Sequence, residues 1–199
     1  MVREPLLRGP SQKTVKAPVQ LAFTRWDIES TGTPRVHWSR SPTFREVILE
    51  FSMSVAAREA FLAAVHVAII GVDDPRGESA PLLVPVWYGY SPGGDIVVET
   101  RRESLKARLL RGAGRFSLCV QDETAPYRYV SVEGAITEIA DPIPAEERRN
   151  LAFRYLDPGT AEAYLKANEI QLAEDILIRM RPQRWRTADF SAFAADFSS

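Results

Sequence analysis

Between residues 67 and 139 the chain is a succession of short β-branched and aromatic runs parted by turns, and this spacing constrains the fold more than any other feature. Val67-Ala-Ile-Ile-Gly-Val72, the turn Asp73-Asp-Pro-Arg-Gly77 and Pro81-Leu-Leu-Val-Pro-Val-Trp-Tyr88 together read as a hairpin. Ser91-Pro-Gly-Gly94 makes the next turn and Asp95-Ile-Val-Val-Glu-Thr100 the next strand. Arg115 to Gln121 and Tyr127 to Ile139 follow, separated by the polar segment Asp122 to Pro126. Ile170 to Arg181 is a sixth strand, with Ile176, Ile178 and Met180 on one face of a two-residue alternation. Strands joined by short turns pair antiparallel, whereas parallel pairing needs a crossover of a dozen residues or so.

Helices are confined to the periphery. Ser54 is positioned to cap a short helix ending near Val65, and Glu103 to Arg111 has helical composition. Pro144-Ala-Glu-Glu-Arg-Arg149 opens a third helix with proline in the first turn and acids where the helix dipole favours them. A fourth runs around Thr160 to Asn168. The expected fold is therefore mainly β (α+β), a six-stranded antiparallel barrel, closed or nearly so, with peripheral helices rather than a doubly wound sheet.

The first fifty residues differ from the rest. Arg3, Arg8, Lys13, Lys16, Arg25, Arg35, Arg40 and Arg45 outnumber the acids there, and five prolines interrupt any long helix. The expected organisation is an irregular basic extension over 1–50, a barrel domain over 54–185 and a C-terminal tail over 186–199. Met53 immediately precedes the first regular helix, which suggests that the folded core starts there.

Several function classes lose support. The formal charge is -1, from 25 Lys and Arg against 26 Asp and Glu, so the overall field favours neither nucleic acid nor an anionic membrane. No apolar stretch reaches the roughly 20 residues that a membrane helix needs. One cysteine, Cys119, excludes an internal disulfide, and with His37 and His66 supplies too few soft ligands for a structural zinc site. Cys119 reads as a small buried hydrophobe among Phe116, Leu118 and Val120, and His66 as a structural histidine. A cytoplasmic setting is the expectation. The nucleophile elbow, zincin, P-loop and dinucleotide-binding motifs are all absent, and no dedicated catalytic set stands out.

The most informative segment is Thr100-Arg-Arg-Glu-Ser-Leu-Lys-Ala-Arg-Leu-Leu-Arg111, which follows a strand and opens a helix. It brings Lys106 and Arg108 together with the hydroxyls of Thr100 and Ser104 and with the free N–H groups of a helix N-terminus, a combination suited to phosphate. The other reading of the same residues is a solvated cationic helix face. Trp87, Tyr88, Tyr127 and Tyr129 could line an apolar slot for a planar ligand, or serve core and interface packing.

Three motifs stand in order: Pro81-Leu-Leu-Val-Pro-Val-Trp-Tyr88, Glu99-Thr100 with Ser104-Leu-Lys-Ala-Arg108, and Pro126-Tyr-Arg-Tyr-Val-Ser-Val-Glu-Gly134. Together they resemble the pyridoxamine 5'-phosphate oxidase-like split β-barrel flavoproteins, and within them the flavin/deazaflavin-dependent oxidoreductase branch. The resemblance covers roughly residues 54 to 140 and extends weakly to Arg184-Trp-Arg-Thr-Ala-Asp-Phe-Ser191. It implies a homodimer that binds FMN or the deazaflavin coenzyme F-420 between subunits. It places Leu82, Leu83, Val84, Pro85, Val86 and Trp87 beside the isoalloxazine ring, Glu99 and Thr100 near the phosphate end, and Lys106 as the phosphate-binding lysine, with Ser104, Arg108 and Tyr129 also in the cofactor site. Leu105 stands where the pyridoxamine phosphate oxidases carry arginine, a departure that argues against oxidation of pyridoxamine phosphate.

The function so implied is hydride transfer between the bound cofactor and a small organic substrate, the cofactor supplying the reactive chemistry. The alternative is a non-enzymatic carrier that sequesters a flavin, haem or other planar ligand, with haem less favoured because His66 is the only histidine in the barrel domain.

Overall fold

The computed structural model describes residues 51–192; the expectations for 1–50 and for the end of the tail lie outside the described residues. Twelve elements follow one another: α1 (Val55–Ala63), β1 (Ala68–Val72), β2 (Leu82–Val86), β3 (Tyr88–Gly89), β4 (Ile96–Arg101), α2 (Leu105–Ala113), β5 (Arg115–Gln121), β6 (Arg128–Ala140), α3 (Ala145–Tyr155), α4 (Pro158–Ala167), α5 (Glu169–Leu172) and β7 (Asp175–Asp189). Every strand pairing is antiparallel, in the order β2-β1-β5-β6-β7-β4-β3.

The sheet has seven strands where six were expected, because the segment 81–88 breaks at Trp87. Leu82–Val86 pairs with β1 at one edge of the sheet, and Tyr88–Gly89 pairs with β4 at the other. The two edges thus meet through one residue of covalent chain, not through a hydrogen-bonded ladder. This is a split barrel: the hydrogen-bonded sheet does not close.

Its interior is filled by the inward positions of each strand, including Ile70, Val86, Tyr88, Ile96, Val98, Leu118, Val130, Val132, Ile176, Ile178 and Met180. Tyr88 is fully buried and donates its hydroxyl proton to the Leu62 carbonyl at 2.7 Å. Two of the helices packed on the sheet are capped by serines. Ser54 Oγ accepts from Ala57 N at 3.2 Å at the start of α1. Ser104 Oγ accepts from Ala107 N at 3.0 Å at the start of α2, whose other end is closed by Gly114 at φ +64.

β7 differs from expectation at both ends. Residues 169–172 form the short helix α5, and the strand then runs from Asp175 past Pro182 to Asp189. The long partner β6 explains the extension, since its residues 128–133 need a neighbour and find it in 184–189. Pro182 is tolerated because it lies opposite Gly134 at a register shift, where the ladder is already interrupted. The end of β7 also fixes the start of the described chain. Asp189 N donates to Phe51 O at 2.8 Å, Met53 N donates to Thr187 Oγ1 at 3.0 Å, and the Phe51 and Phe190 rings lie 4.9 Å apart.

The insertion α3–α5 lies against the outer side of β3 and β4. There Val97, Ile143 and Leu177, with Ala140, form a small apolar cluster separate from the barrel interior. Alternation also relocates Cys119. Phe116, Leu118 and Val120 point inward, so Cys119 stands half-buried on the outer face of β5 rather than in the core.

Candidate functional site

β2 is an edge strand with one neighbour, so one side of it carries unpaired backbone groups. Across the split stands the N-terminus of α2. A cleft of about 350 Å³ joins them, lined by Leu82 of β2, Leu105 and Leu109 of α2, and Asp74, Arg76, Glu78, Ser79 and Ala80 of the β1–β2 connection. That connection is held by Asp74, whose buried carboxylate accepts from the Arg76 N–H at 3.1 Å and from Ser79 Oγ at 3.2 Å. Its hydrogen bonds to Arg76, aided by Ser79, keep the Asp74 carboxyl below the usual carboxylate range.

At the helix start, Thr100 is buried and its hydroxyl lies 3.0 Å from Ser104 Oγ. Ala107 N is used by the Ser104 cap and Arg108 N by the Ser104 carbonyl at 3.1 Å, which leaves the N–H groups of Leu105 and Lys106 for a ligand. The cations of this segment divide sharply. Arg101 pairs with Glu174 at 3.5 Å, Arg102 with Asp141 at 2.6 Å, and Arg111 donates to the Arg102 carbonyl at 2.9 Å. Lys106, half-buried, and Arg108, exposed, have no carboxylate within ion-pair distance among the described residues. Burial pushes the Lys106 ammonium below its ordinary pKa, partly offset by the carboxylate of Asp175.

Glu99 and Thr100 occupy opposite faces of β4. Thr100 faces inward, while Glu99 lies under α3 beside Arg148, whose Nε is 3.9 Å from Glu99 Oε2. Burial pushes Glu99 up to about 7, the nearby Arg148 charge only partly opposing it and the charges of Asp175 and Glu147 adding to it. Asp175 is also raised by burial, and Tyr164 of α4 is raised by burial and by the two carboxylates.

The aromatic residues separate into three groups. Tyr88 belongs to the core. Trp87 stacks on Tyr155 of α3, centroids 4.8 Å apart, and lies 6.0 Å from Tyr164. Tyr127 and Tyr129 are exposed at the start of β6, near the outer face that also carries Leu83, Pro85 and Ile69. So Leu82 meets Leu105 and Leu109 in the cleft, and Thr100 meets Ser104 at the start of α2, but Lys106 and Arg108 do not line that cleft, and Tyr129 on β6 stands two strands from β4 with β7 between them. A larger cavity of about 450 Å³ lies between the β3–β4 hairpin and α3 and contains none of the expected site residues. Arg148, Tyr155 and Tyr164 were not anticipated. Nothing local marks them, because α3 buries only Leu151 and Ala152 and α4, which carries Tyr164, buries only Ala161, so neither has a clear apolar stripe.

The all-antiparallel sheet, split at Trp87 and flanked by helices, defines the split-barrel class. The chain belongs to the pyridoxamine 5'-phosphate oxidase family, whose family model matches residues 54–188. It is similar to the solved structure of a conserved hypothetical protein from Mycobacterium tuberculosis, 27% identical over 72% of this chain and 89% of that one, with a TM-score of 0.58. A candidate 5-nitroimidazole antibiotic resistance protein from Bacteroides thetaiotaomicron shares the fold at 13% identity, 69% and 84% coverage and a TM-score of 0.50. An F-420 reductase matches more loosely, at 19% identity, 64% and 94% coverage and a TM-score of 0.47. No curated protein sequence matches the chain. Among the described residues no helix is long and apolar enough to cross a membrane.

Proposed function

We propose that this protein is a cytoplasmic, homodimeric oxidoreductase that moves a hydride between FMN or coenzyme F-420 and a small organic substrate. The observation that carries this reading is the selective vacancy of cations at the start of α2: the arginines around them are tied to the fold, whereas Lys106 and Arg108 are not. With the Thr100 and Ser104 hydroxyls and the Leu105 and Lys106 N–H groups, they suit a phosphate monoester. The unpaired side of β2 suits the edge of a flat ring, and Leu82 joins the two regions through the cleft.

The bound cofactor would supply the hydride chemistry. The chain's part is to bind the phosphate, to present backbone groups of Leu82–Val86 to the ring, and to keep water from one of its faces. On the outer face Leu83 is 67% and Ile69 40% exposed, so a ring against β2 has one wall from this chain and takes the other from a second copy. Leu105, half-exposed where the vitamin-oxidising relatives carry arginine, points the substrate away from pyridoxamine phosphate. A haem carrier finds no support at His66, whose Nε2 is enclosed and whose ring packs at 4.5 Å from Phe61.

The test is an absorption and fluorescence titration of the purified protein with FMN and, separately, with F-420. Saturable binding that Lys106→Ala weakens at least tenfold supports the site, since a charge-assisted contact is worth about 1.5–3 kcal/mol. Stoichiometric binding without turnover of any acceptor would reassign the protein as a carrier, and an unchanged Kd in the variant would remove the phosphate site.

A further inference from the structure

The cleft beside α2 begins at the start of the helix. Leu105 is the first residue of α2, its N–H is one of the two free donors there, and its side chain is part of the wall of the cleft of about 350 Å³. A group attached to a phosphate held at Leu105 N and leading past that side chain therefore enters the cleft. Two kinds of surface meet it. One is apolar, made by Leu82 of β2 with Leu105 and Leu109 of α2. The other is the β1–β2 connection, where Asp74, Arg76 and Glu78 stand together.

The three charges are arranged around the arginine. Arg76 Nε lies 3.3 Å from Asp74 Oδ1, and Arg76 Nη1 lies 3.4 Å from Glu78 Oε2. Two carboxylates share one guanidinium, so the lining of the cleft carries one net negative charge. Asp74 keeps its charge, because its hydrogen bonds to Arg76 hold the carboxyl below the usual range. The connection is also held in place. A Cβ on Gly112 would stand 3.0 Å from Pro75 Cγ, so this loop packs directly on the end of α2. Lys106 and Arg108 do not line the cleft, and their charge serves the phosphate rather than what lies beyond it.

The two coenzymes of the reading above differ at this point. FMN ends at its phosphate, a terminal monoester. In F-420 the phosphate is a diester that continues into a lactyl and oligoglutamyl tail bearing several carboxylates. Such a tail would meet an apolar wall that does not compensate its desolvation and a wall of excess negative charge that repels it. A terminal phosphate asks nothing of the cleft.

We propose that the β1–β2 connection is a selectivity element that admits a terminal phosphate and rejects a polyanionic tail, so that the cofactor is FMN rather than F-420, with Glu78 setting the excess charge. The inference rests on the phosphate-site reading above. The Glu78 side chain is 67% exposed, so its replacement leaves the packing of the loop intact.

The experiment compares Kd values for FMN, F-420 and the deazaflavin 5'-phosphate, which has the ring of F-420 and the phosphate end of FMN. The wild-type protein should bind the deazaflavin 5'-phosphate at least about tenfold more tightly than F-420. Glu78→Lys should tighten F-420 by about fivefold and leave the deazaflavin 5'-phosphate unchanged, and both differences should shrink at high salt. Binding of F-420 as tight as that of its tail-free counterpart, no gain for F-420 in Glu78→Lys, or an equal gain for both ligands overturns the selectivity element. If Lys106→Ala spares FMN, or if neither tail-free ligand binds the wild-type protein, the phosphate-site reading fails, and the selectivity element with it.

Discussion

The indole of Trp87 lies flat against the phenol ring of Tyr155, with centroids 4.8 Å apart and planes inclined by 4°. Trp87 is the single residue between the two edge strands of the sheet, and Tyr155 ends α3, so this stack fixes the helical insertion to the point where the barrel closes on itself. The Tyr155 hydroxyl strengthens the join by accepting from Tyr88 N at 3.0 Å and donating to the His66 carbonyl at 2.8 Å. Beside it Arg154 donates to the carbonyls of Ala63 at 2.9 Å and Ala64 at 2.6 Å, which satisfies acceptors at the end of α1.

Tyr155→Phe separates the two contributions. The stack survives, but the Tyr88 N–H loses its partner at a place where water enters poorly. Leaving a buried donor unmade costs about 1–3 kcal/mol, and urea denaturation should show a loss of that size. A midpoint equal to the wild type would mean that water replaces the hydroxyl.

Gly134 permits the close crossing of β6 and β7. A Cβ built there would stand 1.8 Å from the Arg181 carbonyl oxygen and 2.7 Å from Met180 Sδ, and the nearer atom is backbone that cannot swing aside. Overpacking of a well-filled interior costs about 1–3 kcal/mol and occasionally more. Gly134→Ala should fall at or above the top of that range by thermal or urea denaturation; a variant of wild-type stability would show that the bulge can relax.

Much of this arrangement was legible beforehand, and the gaps have physical reasons. Period-two runs and short turns identify an antiparallel barrel, and Ser54 caps its helix where its position suggests, whereas Ser104, read as part of a helix from Glu103, is instead the residue that caps α2. The break at Trp87 is invisible in an apolar run, because one residue turning the chain from one edge to the other leaves no change in composition. Pro182 looks like a strand end until its partner Gly134 is known to sit at a register shift. At the site, Lys106 and Arg108 are distinguished from Arg101, Arg102 and Arg111 only by what each side chain reaches, which no spacing rule encodes. Arg148 comes from a helix whose surface pattern is nearly featureless, and its role depends on a sheet 49 positions earlier in the chain meeting it, as the Glu99–Arg148 contact shows.

Glu99 makes stability depend on pH in a direction opposite to most carboxylates. Burial raises its folded pKa to about 7, above the ordinary value of 4.5, so the native state binds more protons than the unfolded chain between those values. Its cost is fully present above pH 7 and is relieved as pH falls toward 4.5. Glu99→Gln removes the charge and should stabilise the ligand-free protein at pH 8 by about 2–3 kcal/mol, with the difference falling below about 1 kcal/mol at pH 5 and vanishing below pH 4.5. Denaturant midpoints at the two pH values measure this, and an equal difference at both would show that Glu99 is not held near neutrality.

The exposed face of the first hairpin should be where two copies meet. Leu83 is 67% exposed and pairs in the ladder with Gly71, Ile69 is 40% exposed opposite Pro85, and Cys119 lies next to Ile69 on β5, giving an uncharged patch. Towards β7 the same face carries Glu133 with Arg184 at 3.1 Å and Arg186 at 3.6 Å, a charged margin of the kind that rims an apolar interface. Leu83→Arg places a charge in the middle of the patch without touching the barrel interior, so a monomer's fold should tolerate it while association is weakened. Light scattering should then report a dimer for the wild type and a monomer for the variant at micromolar concentration, and flavin affinity should fall with the loss of the second wall. A variant that remains dimeric and binds flavin normally would place the interface on another face and leave the β2 slot a one-chain site.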